Sequence, residues 1–349
     1  MPTKLEEFLN EYDEAAWLDA IGELEPSIHP VDRTAVQIWF RFYPLSLFRA
    51  VEAAEDREAA IREFALQGRP FLKDQIDTSH HFLYGHRYWP QVKAAIESEI
   101  DSFEGGGGKL AAEIVRIAGV AAGTAKANQA LVSAITAAGL MTLVQSGAEA
   151  FKASAGQVKK PTGLMAGSPD KIVREREKDD SQGMLGFLKT INKKFSVIYD
   201  ESSPSGRFPI MNDQQLTSAS AEDRSQNWQE KDPRCWAGVI PIECTAASCG
   251  TCWVGVLGGE DKLTEVAPRE RRRMKVFGYE QPADEKPFLR LACQARALGN
   301  VTIVIPPWNG VFGKEVYGNV EELELEPVTT SAKQLRETVR QAIEAAPEE

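Results

Sequence analysis

Residues 244–252 read Cys-Thr-Ala-Ala-Ser-Cys-Gly-Thr-Cys, which places three cysteines in one short segment. A fourth cysteine follows in LRLACQARALGNVTIVIPP, residues 289–307. The residues between the first three cysteines are small, so the chain can wrap closely around a metal centre and bring backbone N–H groups near its ligands. C-x4-C-x2-C with a remote fourth cysteine is the ligand pattern of a plant-type 2Fe-2S cluster. The sequence therefore predicts one such cluster, bound by Cys244, Cys249, Cys252 and Cys293.

Zinc is the competing occupant of a four-cysteine site. Structural zinc sites commonly combine two CxxC pairs. This chain has one such pair, Cys249 and Cys252, with Cys244 five residues upstream of it. The spacing therefore favours the iron–sulfur interpretation. Within the loop, Gly250 is the residue expected to adopt a backbone angle that is closed to other residues.

Two further residues near the motif, Cys235 and Trp253, each allow a functional and a structural interpretation. Cys235 lies outside the pattern, and an unligated cysteine is usually a small buried apolar residue, although a fifth thiol near a cluster could be redox-active. Trp253 follows a ligand directly. It could shield the cluster from water or simply belong to the core of a strand, and the sequence leaves this choice open.

The wider sequence resembles a known family. The stretches GVIPIECTAASCGTCWVGVLGGEDKLTEVAPRERR (238–272) and LRLACQARALGNVTIVIPP are similar to the 2Fe-2S domain of plant-type ferredoxins and of the iron–sulfur modules of oxygenase reductases, which have a β-grasp fold. The resemblance covers residues 192–306. It implies that Cys244 and Cys249 hold one iron, and that Cys252 and Cys293 hold the other. The chain departs from the family in two longer segments, 211–238 and 278–288.

Composition restricts the class of partner and the compartment. The formal net charge of −11 argues against a nucleic-acid partner, since that interaction requires a basic surface. Five cysteines in 349 residues are too few for a disulfide scaffold, and their clustering suggests a metal site in a reducing compartment. The first residues, MPTKLEEFLNEYDEAAW, lack the basic start and apolar core of a secretory signal. A cytoplasmic location is therefore expected.

The fold class predicted from these patterns is α+β, with an N-terminal α-helical domain followed by a β-grasp 2Fe-2S ferredoxin-like domain. Residues 1–154 are expected to form the helical domain, because apolar residues recur there at helical spacing. Residues 155–191 combine Gly, Pro, Ser and mixed charges, which is typical of a linker. Residues 192–306 form the ferredoxin-like domain, and 307–349 a C-terminal extension with one helix, predicted over Thr329–Ala346.

Beyond the linker the apolar pattern changes to a period of two. Phe195 and the alternating residues after it, the SSPSG turn, and a returning strand over Arg207–Ile210 predict an opening β-hairpin. Trp253–Leu257 and Val301–Ile305 are further predicted strands. Ala267–Gly278 is predicted to contain a short helix.

An Ala-rich stretch covers residues 110–153 and is typical of one long helix or two abutting helices. Residues 127–148 lack charge and are numerous enough to span a bilayer, but several amides and hydroxyls lower their hydropathy. Close packing of helices through small residues such as Gly119 and Gly123 is the preferred interpretation.

The histidines and a basic run are further candidates. His80, His81 and His86 lie in HHFLYGHRYW and could ligate a haem or a metal. His81 and His86 are five residues apart, however, which does not place both on one helical face, so a structural aromatic cluster is favoured. The run RERRRMK at 269–275 could dock an acidic partner, but such a run is more often a solvated helix face.

Together these features predict an electron-transfer protein, not an enzyme in its own right, that exchanges single electrons with a redox protein partner. The alternative is a structural or electron-relay subunit of a larger redox complex, membrane-associated through the Ala-rich helices. A third hypothesis is that the protein is a redox sensor, and no sequence feature bears on it directly. The sequence leaves the donor, the acceptor and the oligomeric state open.

Overall fold

The computed structural model describes residues 2–105, 108–178, 193–279, 281, 287–318, 336–338, 340 and 341. The fold is mixed α+β, as predicted, and the chain divides into two compact units. The first contains Met1–Glu55, Arg69–Arg176 and Asp200–Pro204. The second contains Asp56–Gly68, Glu177–Tyr199 and Ser205–Glu349, as far as these residues are described.

The described α-helices are α1 Lys4–Asn10, α2 Glu14–Leu24, α3 Pro30–Phe42, α4 Leu45–Ala53, α5 Arg57–Glu63, α6 Trp89–Ser102, α7 Leu110–Ala125, α8 Ser133–Ser146, α9 Ala148–Ala153, α10 Pro169–Arg176, α11 Leu216–Glu222, α12 Trp228–Lys231, α13 Pro268–Phe277 and α14 Gly313–Tyr317. Local signals account for several of their starts. Thr3 and Glu6 form a capping box before α1, and Pro30 begins α3.

Helix α8 is the centre of the first unit. Every residue from Ser133 to Gln145 is buried, because the helix packs against α1, α3, α6, α7 and α9. The absence of charge in this stretch follows from burial on all sides. A Cβ on Gly139 would lie 2.8 Å from the Ile96 side chain, so glycine permits this close approach of α6. Among the described residues, no helix has both the length and the hydropathy needed to cross a membrane.

The Ala-rich stretch forms separate helices instead of one long helix. Helix α7 ends at Ala125, and the φ of 51° at the following residue, Lys126, is left-handed and breaks the helical path. A 3-10 turn over Gln129–Leu131 then leads into α8, which packs against α7.

The segment predicted as a linker contains secondary structure in its described part, residues 155–178. It contains a 3-10 turn, Gly163–Ala166, and helix α10. Ile172 of α10 joins a buried cluster with Val31, Tyr84 and Met165. Residues up to Arg176 thus belong to the first unit, although their composition is that of a solvated connection; residues 179–191 lie outside the described part of the chain.

The described β-strands are β1 Gln67–Gly68, β2 Lys194–Ile198, β3 Arg207–Met211, β4 Trp253–Gly258, β5 Leu289–Leu291, β6 Val301–Val304 and β7 Trp308–Asn309. Five of them form a mixed sheet in the order β3-β2-β6-β4-β5. Strands β2 and β3 are the predicted hairpin, with Phe195 opposite Ile210. Strand β6 lies parallel to β2 and antiparallel to β4, which in turn is antiparallel to β5.

The predicted strands over Trp253–Leu257 and Val301–Ile305 and the predicted helix within Ala267–Gly278 are confirmed, with small differences at their ends. The buried faces of β2 and β3 follow the period-two pattern of the sequence.

The second unit also includes segments that lie outside the predicted limits of the ferredoxin-like domain. Residues Asp56–Gly68, which lie within the predicted helical domain, belong to it, and β1 pairs with β7 beyond residue 306. The Val311 N–H donates to the Phe64 carbonyl at 2.7 Å. The predicted C-terminal helix, Thr329–Ala346, lies mostly outside the described residues; 336–338, 340 and 341 are helical.

Candidate metal centre

Sheet pairing brings the remote cysteine to the cysteine loop. Cys252 is the last residue before β4, and Cys293 follows β5. Because Trp253 is paired with Leu291 and the Ala292 N–H donates to the Cys252 carbonyl at 2.9 Å, Cys293 lies beside the end of the loop. Residues distant in the sequence thus meet at one end of two adjacent strands.

The four predicted ligands lie in two thiol pairs. The sulfurs of Cys244 and Cys249 are 3.2 Å apart, and the thiols of Cys252 and Cys293 are close enough for each to shift the pKa of the other. Cys244, Cys252 and Cys293 are almost fully buried, whereas Cys249 is half-buried. Thr245 and Ala246 of the same loop are exposed, so the site lies just beneath the surface at this edge.

Within each pair one thiol stabilises the thiolate form of the other. The hydrogen bond from Cys249 lowers the pKa of Cys244 to about 6, against the opposing effect of burial. The same bond, followed by burial, raises the pKa of Cys249. The hydrogen bond between the second pair raises the pKa of Cys252 and lowers that of Cys293. Cysteines bind metals as thiolates, so a metal site requires thiols that lie close together and lose their protons when the metal binds. The two pairs found here meet the first requirement, and the lowered pKa of one thiol in each pair favours the second.

The loop directs its backbone N–H groups at the sulfurs. The Ser248 N–H donates to the Cys244 sulfur at 3.3 Å, and the N–H groups of Ala246 and Cys249 also lower the pKa of that thiol. The Ala247 N–H acts in the same way on Cys293. Such N–H donors stabilise sulfur that carries negative charge.

Two residues of the loop have left-handed backbone angles. Gly250 has a φ of +72°, as predicted, and the Phe277 ring lies 2.8 Å from where its Cβ would be. Ala247, at φ +55°, was not predicted, because alanine gives no local signal for this conformation. The buried Thr251 hydroxyl has no nitrogen or oxygen partner. A small, crowded loop with donors aimed inward fits a compact, negatively charged metal–sulfur group.

A buried ion pair fixes the strand that leads into Cys293. Both oxygens of Glu270 on α13 accept hydrogen bonds from Arg290 on β5, at 2.9 and 3.0 Å, and both side chains are 1% exposed. Glu270 also accepts the Leu291 N–H at 2.8 Å, and Arg290 donates to the Thr264 carbonyl. Sequence reasoning missed this pair because Glu270 lies inside a basic run.

Trp253 is part of the core. Its indole is fully buried, stacks on Tyr279 with 3.9 Å between ring centroids, and donates to the Trp308 carbonyl at 2.8 Å. Cys235 is also buried: its thiol lies 3.2 Å from the Val239 carbonyl, and burial raises its pKa to about 12. Both observations favour the structural interpretations.

The histidines of the first unit do not assemble three ligands. The Nδ1 atoms of His80 and His86 are 2.8 Å apart, while His81 Nδ1 lies 3.1 Å from the Thr78 carbonyl. His80 is fully buried and packs on the Trp89 ring at 4.2 Å. Among the residues that the structure describes, no group of three or more His, Cys, Asp or Glu side chains is placed to bind a single metal ion.

The buried histidine pair predicts acid sensitivity. Burial, aided by the charge of His81, lowers the pKa of His86 from 6.5 to about 4, and burial lowers that of His80. Between pH 6.5 and 4 these two imidazoles therefore bind more protons in the unfolded chain than in the folded chain, so their contribution to the free energy of unfolding falls as the pH falls through this window. For His86 alone the loss is about 3 kcal/mol.

Urea unfolding of the full chain at pH 7.5 and 4.5, compared with the variant carrying His80→Asn and His86→Gln, measures this effect. Acid effects on other groups are common to both proteins. Between pH 7.5 and 4.5 we expect the free energy of unfolding to fall less in the variant than in the unaltered protein. Equal losses of unfolding free energy would contradict the assignment of acid sensitivity to His80 and His86.

The basic run 269–275 is divided between two faces of α13. Arg269, Arg271, Arg272 and Lys275 are exposed, whereas Glu270 and Arg273 are buried.

Comparisons of the chain with protein-family models, with curated proteins and with solved structures found no match.

Proposed function

We propose that the chain binds one 2Fe-2S cluster through Cys244, Cys249, Cys252 and Cys293, and that it transfers single electrons to or from a redox protein partner. The observation that carries this proposal is the meeting of the four thiols as two pairs at one end of β4 and β5.

The two-by-two arrangement favours two irons over one zinc ion. A structural zinc ion requires its four ligands to converge on one point. In a 2Fe-2S cluster each iron takes two protein ligands, so two separate pairs suffice. The pairs found here, Cys244 with Cys249 and Cys252 with Cys293, are those that the family resemblance assigns to the two irons.

The sheet supports a β-grasp ferredoxin-like domain over residues 192–306. An opening hairpin is followed by α11, which packs against β3, and β6 enters the sheet parallel to β2. This placement also leaves the cysteine loop and the end of β5 at one edge of the domain.

The residues of the chain would supply binding, charge stabilisation and partial exclusion of water. Four thiolates hold the metal, and the N–H groups of Ala246, Ala247 and Ser248 offset negative charge on the sulfurs. When bound, the cluster supplies reversible one-electron redox chemistry. The exposed residues Thr245 and Ala246 would allow a partner to approach the cluster closely.

Metal analysis and spectroscopy of the purified protein test the proposal. We expect about two irons per chain, a red-brown absorbance in the oxidised state, and an electron paramagnetic resonance (EPR) signal with an axial or rhombic g-tensor after reduction with dithionite. Reoxidation by a small-molecule acceptor should restore the absorbance. A colourless protein that contains one zinc ion per chain would refute the proposal, and native partners that co-purify would identify the redox protein.

A further inference from the structure

The hydroxyl of Tyr279 bridges the cysteine loop and the segment after β7. It lies 3.1 Å from the Gly250 carbonyl and 2.9 Å from the Gly310 carbonyl, and it accepts the Gly310 N–H at 3.0 Å. The side chain is 2% exposed, so water does not compete freely for these bonds. The one hydroxyl proton is shared between the two carbonyls, so Gly250 has a side-chain anchor in common with Gly310.

The ring of Tyr279 is itself held in place. It stacks on Trp253 with an interplanar angle of 5°, and the Trp253 indole is fixed by its bond to the Trp308 carbonyl. On the other side of the loop, the Phe277 ring fills the space beside Gly250. The hydroxyl is therefore preorganised, and its loss would not be compensated by a simple movement of the ring.

The anchored carbonyl belongs to the peptide that joins Gly250 to Thr251. This peptide is trans and planar, as no cis bond occurs in the described chain, so its C=O and N–H groups point in opposite directions. With the carbonyl directed at Tyr279, the Thr251 N–H is directed away from it; the Thr251 hydroxyl and, after it, the Thr251 N–H both lower the pKa of the Cys249 thiol. A hydrogen bond to the carbonyl also polarises the peptide and strengthens its N–H as a donor.

We propose that Tyr279 is a positioning residue for the cluster: its hydroxyl orients the Gly250–Thr251 peptide, and through the Thr251 N–H it raises the reduction potential of the site at Cys249. The inference rests on the proposed function, because it concerns the same four-cysteine site. Hydrogen bonds to a ligand sulfur favour the reduced state, which carries the additional negative charge.

The variant Tyr279→Phe tests this inference because it keeps the stacked ring and removes the hydroxyl. We expect an iron-to-protein ratio equal to that of the unaltered protein, a more negative midpoint potential in a redox titration, and a shift of the EPR g values of the reduced protein. Tyr43→Phe is the matched control: this buried tyrosine of the first unit loses a hydroxyl bonded to Gln75, and the potential should not change.

Incorporation of 3,5-difluorotyrosine at position 279 provides the opposite perturbation. Fluorination makes the hydroxyl a stronger donor while retaining the ring, and burial raises the pKa of this hydroxyl and so favours its protonated form. The midpoint potential should then become less negative. If the Tyr279→Phe variant loses its iron, the midpoint potential of the difluorotyrosine protein decides whether the hydroxyl of residue 279 affects the cluster. Unchanged potentials and g values in both forms, with iron bound, would overturn the role of Tyr279 alone; absence of iron from the unaltered protein would overturn the proposed function.

Discussion

Replacement of Cys293 by alanine is expected to reduce bound iron from about two atoms per chain to nearly none. Cys293 is fully buried beside Cys252, and its removal leaves the second thiol pair with one donor. Thiolates are the protein ligands that iron–sulfur clusters require, and the alanine methyl group offers no donor. Iron and sulfide analysis, together with the visible absorbance of the purified variant, measures the loss.

Cys235→Ala is the matched control for this experiment. Cys235 is also buried, but its thiol contacts the Val239 carbonyl and no other cysteine. The variant should keep the iron content and absorbance of the unaltered protein. An unchanged spectrum in Cys293→Ala, or loss of iron in Cys235→Ala, would contradict the assignment of ligands.

Glu270→Ala is expected to destabilise the second unit by about 3–5 kcal/mol, since removing one member of a buried ion pair leaves the other charge uncompensated. Arg290 is 1% exposed and would lose both of its bonds to the carboxylate, and the Leu291 N–H would lose its acceptor. Urea unfolding of the iron-loaded protein, followed by circular dichroism and by cluster absorbance, measures the change.

An exposed pair of the same chemistry provides the comparison. Glu58 and Arg62 on α5 also form a glutamate–arginine pair, but their side chains are 87% and 67% exposed. Glu58→Ala should lower the free energy of unfolding by less than about 1 kcal/mol because water screens the interaction. If Glu58→Ala and Glu270→Ala lowered the free energy of unfolding by similar amounts, burial of the Glu270–Arg290 pair would not contribute to stability as predicted.

Local patterns in the sequence predicted the elements whose signals are short in range. The period-two alternation from Phe195 predicted the hairpin of β2 and β3, and the Ala267–Gly278 pattern predicted α13. The spacing of the cysteines and the small residues between them selected the candidate ligands and the left-handed angle of Gly250. Each of these inferences depends on residues within a few positions of one another.

Features set by packing were not predictable in this way. The polar composition of residues 155–178 indicated a linker, yet Arg176 is buried in an ion pair with Glu201 at 2.6 Å and Ile172 lies in the core. The pairing of β1 with β7 joins residues 67 and 68 to the opposite end of the chain. Composition cannot identify a partner for a buried charge or a short strand when that partner is far away in sequence.

The sequence by itself determined which four cysteines are the candidate ligands and which segments alternate as strands. The tertiary structure decided how the remote cysteine reaches the loop, since the β4–β5 register places Cys293 beside Cys252, and it brought Tyr279 to Gly250. The physical reason is that spacing and periodicity act along the chain, whereas sheet register and side-chain packing bring together groups whose separation in sequence carries no local signal.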